Sequence, residues 1–200
     1  MRKTLFSSLL LALLLASGSP LQAQESFVLA DGSTIRVDGT SNRSDWSVEA
    51  TGFSGTFNVV EGIPASGSLI IAVRDMKGGR SLIMDRLMYS AFDADANPEI
   101  VFTLESVEAS ETEGMWTING QLAMAGASNA VAVELEQKGN SGRTIRYEGS
   151  HALKMTDFGM KPPTAMFGSL HTQDDVSIHF DLLLASTCEE DCPSDGDSGR

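Results

Sequence analysis

Positive charge is scarce in this chain of 200 residues. Fourteen lysines and arginines stand against 27 aspartates and glutamates, a formal net charge of −13. Phosphate backbones and anionic membranes are bound through clustered cations, so nucleic acid and an anionic bilayer surface are not expected partners. Cysteine is almost missing. Cys188 and Cys192 are the only two, both in the closing stretch STCEEDCPSDGDSGR, so the core has to hold without staples. In an oxidising compartment this pair is a disulfide candidate, but its loop is tiny and lies outside the core. Histidine occurs three times, at scattered positions, and no spacing gathers the converging ligands that a metal site needs. No apolar run is long enough to span a bilayer, so no stable membrane anchor is expected.

One apolar run does stand at the start. Arg2 and Lys3 precede a stretch from Leu5 to Ala16 broken only by Ser7 and Ser8, and Leu21-Gln22-Ala23 offers a small residue for cleavage. Residues 1–23 thus read as a secretory signal peptide, which predicts a periplasmic or secreted protein. No cysteine follows the run to carry a lipoprotein anchor. Cleavage removes two cations, leaves a more acidic mature chain, and keeps enough length for one domain with a real core. That domain is expected over residues 24–186. The acidic tail, 187–200, has no apolar periodicity and is expected to be disordered.

Between these ends the dominant signal is period two. Trp46, Val48 and Ala50 share a face, as do Phe53, Phe57 and Val59, and Leu69, Ile71 and Val73. Ile100, Phe102 and Leu104 repeat the pattern, then Trp116, Ile118 and Leu122, then Val131, Val133 and Leu135. Ile145, Tyr147, Gly149, His151, Leu153 and Met155 fall together in what reads as the longest strand, Arg143 to Met155. Val176, Ile178, Phe180, Leu182 and Leu184 close the series. One face apolar and one wet is the mark of antiparallel sheet. A single helix is predicted in SLIMDRLMYSAFD, with Ile83, Met84, Leu87, Met88 and Ala91 on its apolar side and Asp85, Arg86, Tyr89 and Ser90 opposite. About eight strands at hairpin spacing leave a sandwich or an up-and-down barrel. The length of the strands favours the barrel.

Several apparent motifs fail on inspection. DADANPEIVFTL has Asp93, Asp95 and Asn97 at alternate positions, but Pro98 replaces the glycine and Leu104 the glutamate of a calcium loop. Asp157-Phe158-Gly159 lacks every other kinase element, and GASNA at Gly126 lacks the last glycine of a nucleophile elbow. No catalytic or metal-binding residue is therefore assigned, and no cofactor is expected. Methionines serve as adaptable apolar lining rather than copper ligands.

The inward residues instead predict the lining of a lumen. They are Trp46, Phe57, Leu69, Ile71, Met88, Phe102, Trp116, Ile118, Tyr147, Gly149, His151, Met155 and Phe180. Gly149 is read as leaving space there, and Tyr147 and His151 as its polar contacts. In TDFGMKPPTAMFG, Pro162 and Pro163 force the chain out of the sheet at the rim. Phe158, Met160, Met166 and Phe167 are too apolar for an ordinary surface loop, so the segment is read as a cover for the mouth, mobile or static.

The stretches VDGTSNRSDWSVEA, PEIVFTLESVEA, WTINGQLAMAG and LKMTDFGMKPPTAMFGSLHTQDDVSIHFDL resemble the YceI-like family over roughly residues 33–185. The chain departs from it at Ser44-Asp45-Trp46, where members often carry His-Asp-Trp. The resemblance implies a lipocalin-like barrel of about eight antiparallel strands that holds a polyisoprenoid or isoprenoid-quinone chain noncovalently. Two other readings stay open. One is a barrel filled by its own side chains; the other is an enzyme acting on a lipid or quinone, with His151 as its best candidate. The oligomeric state is open, a homodimer being one option.

Overall fold

The computed structural model describes residues 25–79 and 82–188. The expected signal peptide, and Cys192 with most of the tail, lie outside them. Among the described residues are twelve strands and one α-helix: β1 (Glu25–Leu29), β2 (Thr34–Ser41), β3 (Asp45–Ala50), β4 (Phe53–Val60), β5 (Ile63–Ala72), β6 (Met76–Lys77), α1 (Leu82–Phe92), β7 (Glu99–Ala109), β8 (Met115–Met124), β9 (Ala127–Asn140), β10 (Thr144–Lys154), β11 (Thr164–Ala165) and β12 (Leu170–Ser186).

All pairings are antiparallel, and they close a ring in the order β1, β4, β5, β7, β8, β9, β10, β12. Strand β12 shuts it. Its end pairs with β1, Ser186 opposite Phe27, and its beginning pairs with β2, Phe180 opposite Ile35. β1 and β2 therefore run along one neighbour as a single interrupted strand. In the same way β3 continues β4 and β6 continues β5, because β3 pairs with both β2 and β6. The result is an eight-stranded up-and-down barrel, as expected.

Closure removes the exposed strand edges that an open sheet would leave. The longest strand is β12 with 17 residues, not β10, which has 11. β10 is shorter than alternation implied because Met155–Phe158 coils into a single helical turn at the rim.

Strand direction sorts the connections into two ends. One end carries the β2–β3 turn, α1, and the segment from Met155 to Gly168. The other carries the tight β4–β5, β7–β8 and β9–β10 turns. At this tight-turn end, Phe27, Phe57, Val59, Leu104, Ile118, Leu135, Ile145, Tyr147 and Leu184 pack into one cluster, most of them almost fully buried. It is the floor of the barrel. Tyr147 ties it to the wall, its hydroxyl donating to the Gly62 carbonyl at 2.5 Å. That carbonyl also accepts from Gln137 Nε2 at 3.4 Å. Tyr147→Phe should therefore cost about 1 kcal/mol, the net worth of one hydrogen bond, because the acceptor keeps a second donor. Denaturant melts read this. A loss several times larger would mean the hydroxyl holds the floor together.

Helix α1 sits over the other end, and the orientation of its first turn differs from the expectation. Asp85 is buried and Ile83 is exposed, the reverse of the apolar pattern. The cause is a tether: the Gly78 amide donates to Asp85 Oδ1 at 2.9 Å, which turns that carboxylate inward. On the far side Tyr89 is held against the β6 region, donating to the Arg74 and Met76 carbonyls and accepting from Lys77 Nζ at 2.6 Å. No described helix is long and apolar enough to cross a membrane.

Candidate functional site

Between floor and helix the inner wall encloses a cavity of about 430 Å³, lined almost wholly by apolar atoms. Every strand of the ring except β1 contributes, and α1 supplies Met84, Leu87, Met88, Ala91 and Phe92 from above. The period-two faces read from sequence are this wall.

Of the predicted lining, Trp46, Phe57, Leu69, Ile71, Met88, Phe102, Ile118, Tyr147, His151, Met155 and Phe180 border the cavity. The others lie elsewhere. Trp116 packs against the floor cluster, its indole nitrogen buried without a hydrogen-bond partner among the described residues. Phe158 is buried in the upper core with Met160. Met166 and Phe167 point to solvent; both adopt left-handed backbone, with φ of 52° and 57°. The expected mouth cover is thus split: its first half packs as a plug, and Met166 and Phe167 in its second half are exposed. Residues that the sequence reading left out of the lining include Val131, Val133, Leu153 and Ile178, all on faces that alternation had already marked as inward.

Gly149 does not leave open space. A Cβ there would stand 2.4 Å from the Glu134 carbonyl oxygen and 2.5 Å from the Phe180 ring. The ring of Phe180, directly opposite across the β10–β12 pair, occupies the room. The same arrangement recurs around the wall. Trp46 lies over Gly39, Phe57 over Gly67 and Phe102 over Gly120, each ring 2.1–2.7 Å from where a Cβ would be. Glycines in a strand let another group approach the backbone closely. Here that group is an aromatic ring drawn against the wall, and all four rings border the cavity.

Polar groups are few inside. Ser44, Asp45, Ser47, Asp85 and Thr172 stand near the α1 end, and His151 is alone on the mid-wall. Burial holds His151 below its ordinary value of 6.5, against a smaller opposing effect of its bond to the Ala132 backbone. Its partner is thus a main-chain group rather than an acid or nucleophile. His179 faces outward, 3.5 Å from Asp38. No three described residues are grouped to hold a metal ion. Asp95, from the failed calcium loop, pairs with Arg74. Cys188 is exposed and disulfide-bonded.

The depressed His151 fixes the sign of a pH effect. As pH falls, the unfolded chain takes up the proton first, so charging this group opposes folding. Its contribution is complete above about 6.5 and is lost as the pH drops below that value. Thermal midpoints over this range should fall more steeply for the wild type than for His151→Gln. Parallel curves would place His151 in water instead. Asp174 acts in a separate, more acid window, because hydrogen bonds from Thr156 hold its carboxyl below the usual value.

Comparison with known proteins gives a consistent result. The YceI-like domain model matches residues 23–184. No curated protein matches. Among solved structures, BcnA of Burkholderia cenocepacia is 18% identical and superposes with a TM-score of 0.64, covering 76% of this chain and 95% of its own. A polyisoprenoid-binding domain from Saccharophagus degradans, implicated in plant cell wall breakdown, is 14% identical with a TM-score of 0.65, covering 82% and 99%. The YceI protein of Campylobacter jejuni is 18% identical with a TM-score of 0.58, covering 71% and 85%. At such identities these structures establish the shared fold.

Proposed function

This chain belongs to the YceI-like family, and from that premise we propose that it is a binding protein that holds a polyisoprenoid or isoprenoid-quinone chain inside its barrel. The observation that carries the reading is the apolar cavity of about 430 Å³ inside the barrel, left unfilled by the protein's own side chains. A solved neighbour of the same fold is a polyisoprenoid-binding domain, which supports the choice of ligand.

The energetics are those of burial. Each methylene moved from water into the cavity contributes about 0.8 kcal/mol, so several isoprene units offset the cost of ordering the chain. Directional contacts are scarce in the lumen, and the tail needs none. His151, neutral by burial and with its one N–H engaged by the Ala132 backbone, is the one mid-wall group whose free ring nitrogen can accept a hydrogen bond from a hydroxyl of the ligand. The basic and apolar start of the chain, with Leu21-Gln22-Ala23 ahead of the matched domain, extends the proposal to export into the periplasm, where the protein would carry or sequester its lipid.

Titrating delipidated protein with a polyprenol tests the reading. Trp46 borders the lumen, so its fluorescence should change saturably with ligand. No saturable change, together with no retained polyprenol on gel filtration, would refute it.

A further inference from the structure

Gly39 differs from the other glycines that lie beneath rings. At Gly67, Gly120 and Gly149 an added Cβ would strike a backbone carbonyl as well as the ring, so the strand itself demands glycine there. At Gly39 the three nearest atoms are all in the Trp46 side chain, at 2.1, 2.5 and 2.7 Å. The closest obstruction at this glycine is therefore the tryptophan.

Trp46 sits directly opposite Gly39 in the β2–β3 pair, close to the turn at the α1 end of the barrel. Its indole N–H donates to the Thr40 carbonyl at 3.1 Å, which holds the ring along β2. Ser44, Asp45 and Ser47 beside it border the cavity, as does Gly78 across the same end. The ring thus lies at the α1 end of the cavity, drawn against the wall over Gly39.

We propose that Trp46, seated on Gly39, determines specificity at the entrance: it sets a passage wide enough for a methyl-branched isoprenoid chain. The proposal rests on the lipid-binding reading above and adds to it an upper limit on the width of the ligand that is admitted. An isoprenoid differs from a straight alkyl chain by side methyls along its length. A methyl on Gly39 would stand between strand and ring, and the strand blocks any outward movement, so the ring must swing toward the barrel axis. The narrowed passage would then discriminate by chain width rather than by length or polarity.

The test uses geranylgeraniol and hexadecan-1-ol, two alcohols with the same number of main-chain carbons, of which only the first carries side methyls. Delipidated wild type is expected to bind both. Gly39→Ala should lose about tenfold or more for geranylgeraniol, the scale of discrimination that small apolar groups allow, and change by less than about threefold for hexadecan-1-ol. Adding Trp46→Leu to that variant should restore the branched ligand. Trp46→Leu on the native glycine approaches the claim from the other side and does not depend on the alanine variant folding. It should admit cholesterol, whose fused rings the wild type is expected to exclude. Equal losses for the two alcohols, no loss for either, or continued refusal of cholesterol by Trp46→Leu would overturn the entrance role while leaving lipid binding intact. A wild type that admits cholesterol would do the same. If the wild type binds neither alcohol, the binding reading fails and this inference falls with it.

Discussion

Replacing Gly149 by phenylalanine will destabilise the ligand-free protein by about 3 kcal/mol or more, at or beyond the upper end of ordinary overpacking. The position is on the inner face, where alternation puts it, but the inner face there is already full. The first atom of any side chain would lie 2.4 Å from the Glu134 carbonyl oxygen and 2.5 Å from the Phe180 ring. A backbone carbonyl engaged in the sheet has little freedom to retreat, and the ring has its own place against the wall. Even Gly149→Ala should be destabilising, by less. Denaturant melts of delipidated protein measure both. A Gly149→Phe variant within about 1 kcal/mol of the wild type, below the overpacking range, would mean that the ring of Phe180 stands elsewhere and that the glycine does face open space.

The opposite outcome is expected one wall over. Val131 borders the cavity and is only partly buried. Val131→Trp directs a large apolar side chain into volume that the protein leaves empty. Filling a void adds dispersion contacts and removes no native ones, so the ligand-free variant should keep its stability within about 1 kcal/mol, less than overpacking would cost. Polyprenol binding should fall by about tenfold or more, since a factor of ten corresponds to only 1.4 kcal/mol of lost burial, under two methylenes' worth. Melts and lipid titrations on the same preparation separate the two quantities. A strongly destabilised Val131→Trp would show a packed core behind Val131; a stable one with unchanged binding would place the ligand away from β9.

The contrast between these positions shows what the sequence reveals and where it stops. Period-two alternation identifies the inward face of nearly every strand, because burying one face of a closed antiparallel sheet leaves no other arrangement. It does not identify which inward position is vacant. That depends on register across strands: Gly149 faces Phe180 and Gly39 faces Trp46, partners more than five residues and up to thirty-one residues apart in the chain. The same limit explains α1. Helical spacing marks Ile83 as apolar-facing, yet the amide of Gly78, outside the helix, turns Asp85 inward instead. Composition grouped Phe158, Met160, Met166 and Phe167 as one cover. The left-handed backbone at Met166 and Phe167 divides them, and that conformation is uncommon enough for such residues that no local sequence rule forecasts it. Trp116 shows the remaining gap: alternation places it inward correctly, but only the position of the floor cluster decides that inward there means packed rather than lining.

The central claim is that the cavity holds an isoprenoid chain, and mass spectrometry of an organic extract from natively purified protein tests it most directly. The account predicts a lipid released in stoichiometric amount, with fragments spaced by one isoprene unit, and predicts that Val131→Trp purified in the same way yields little of it. An extract that holds no isoprenoid, from a wild-type protein that afterwards fails to take up added polyprenol, would contradict the account.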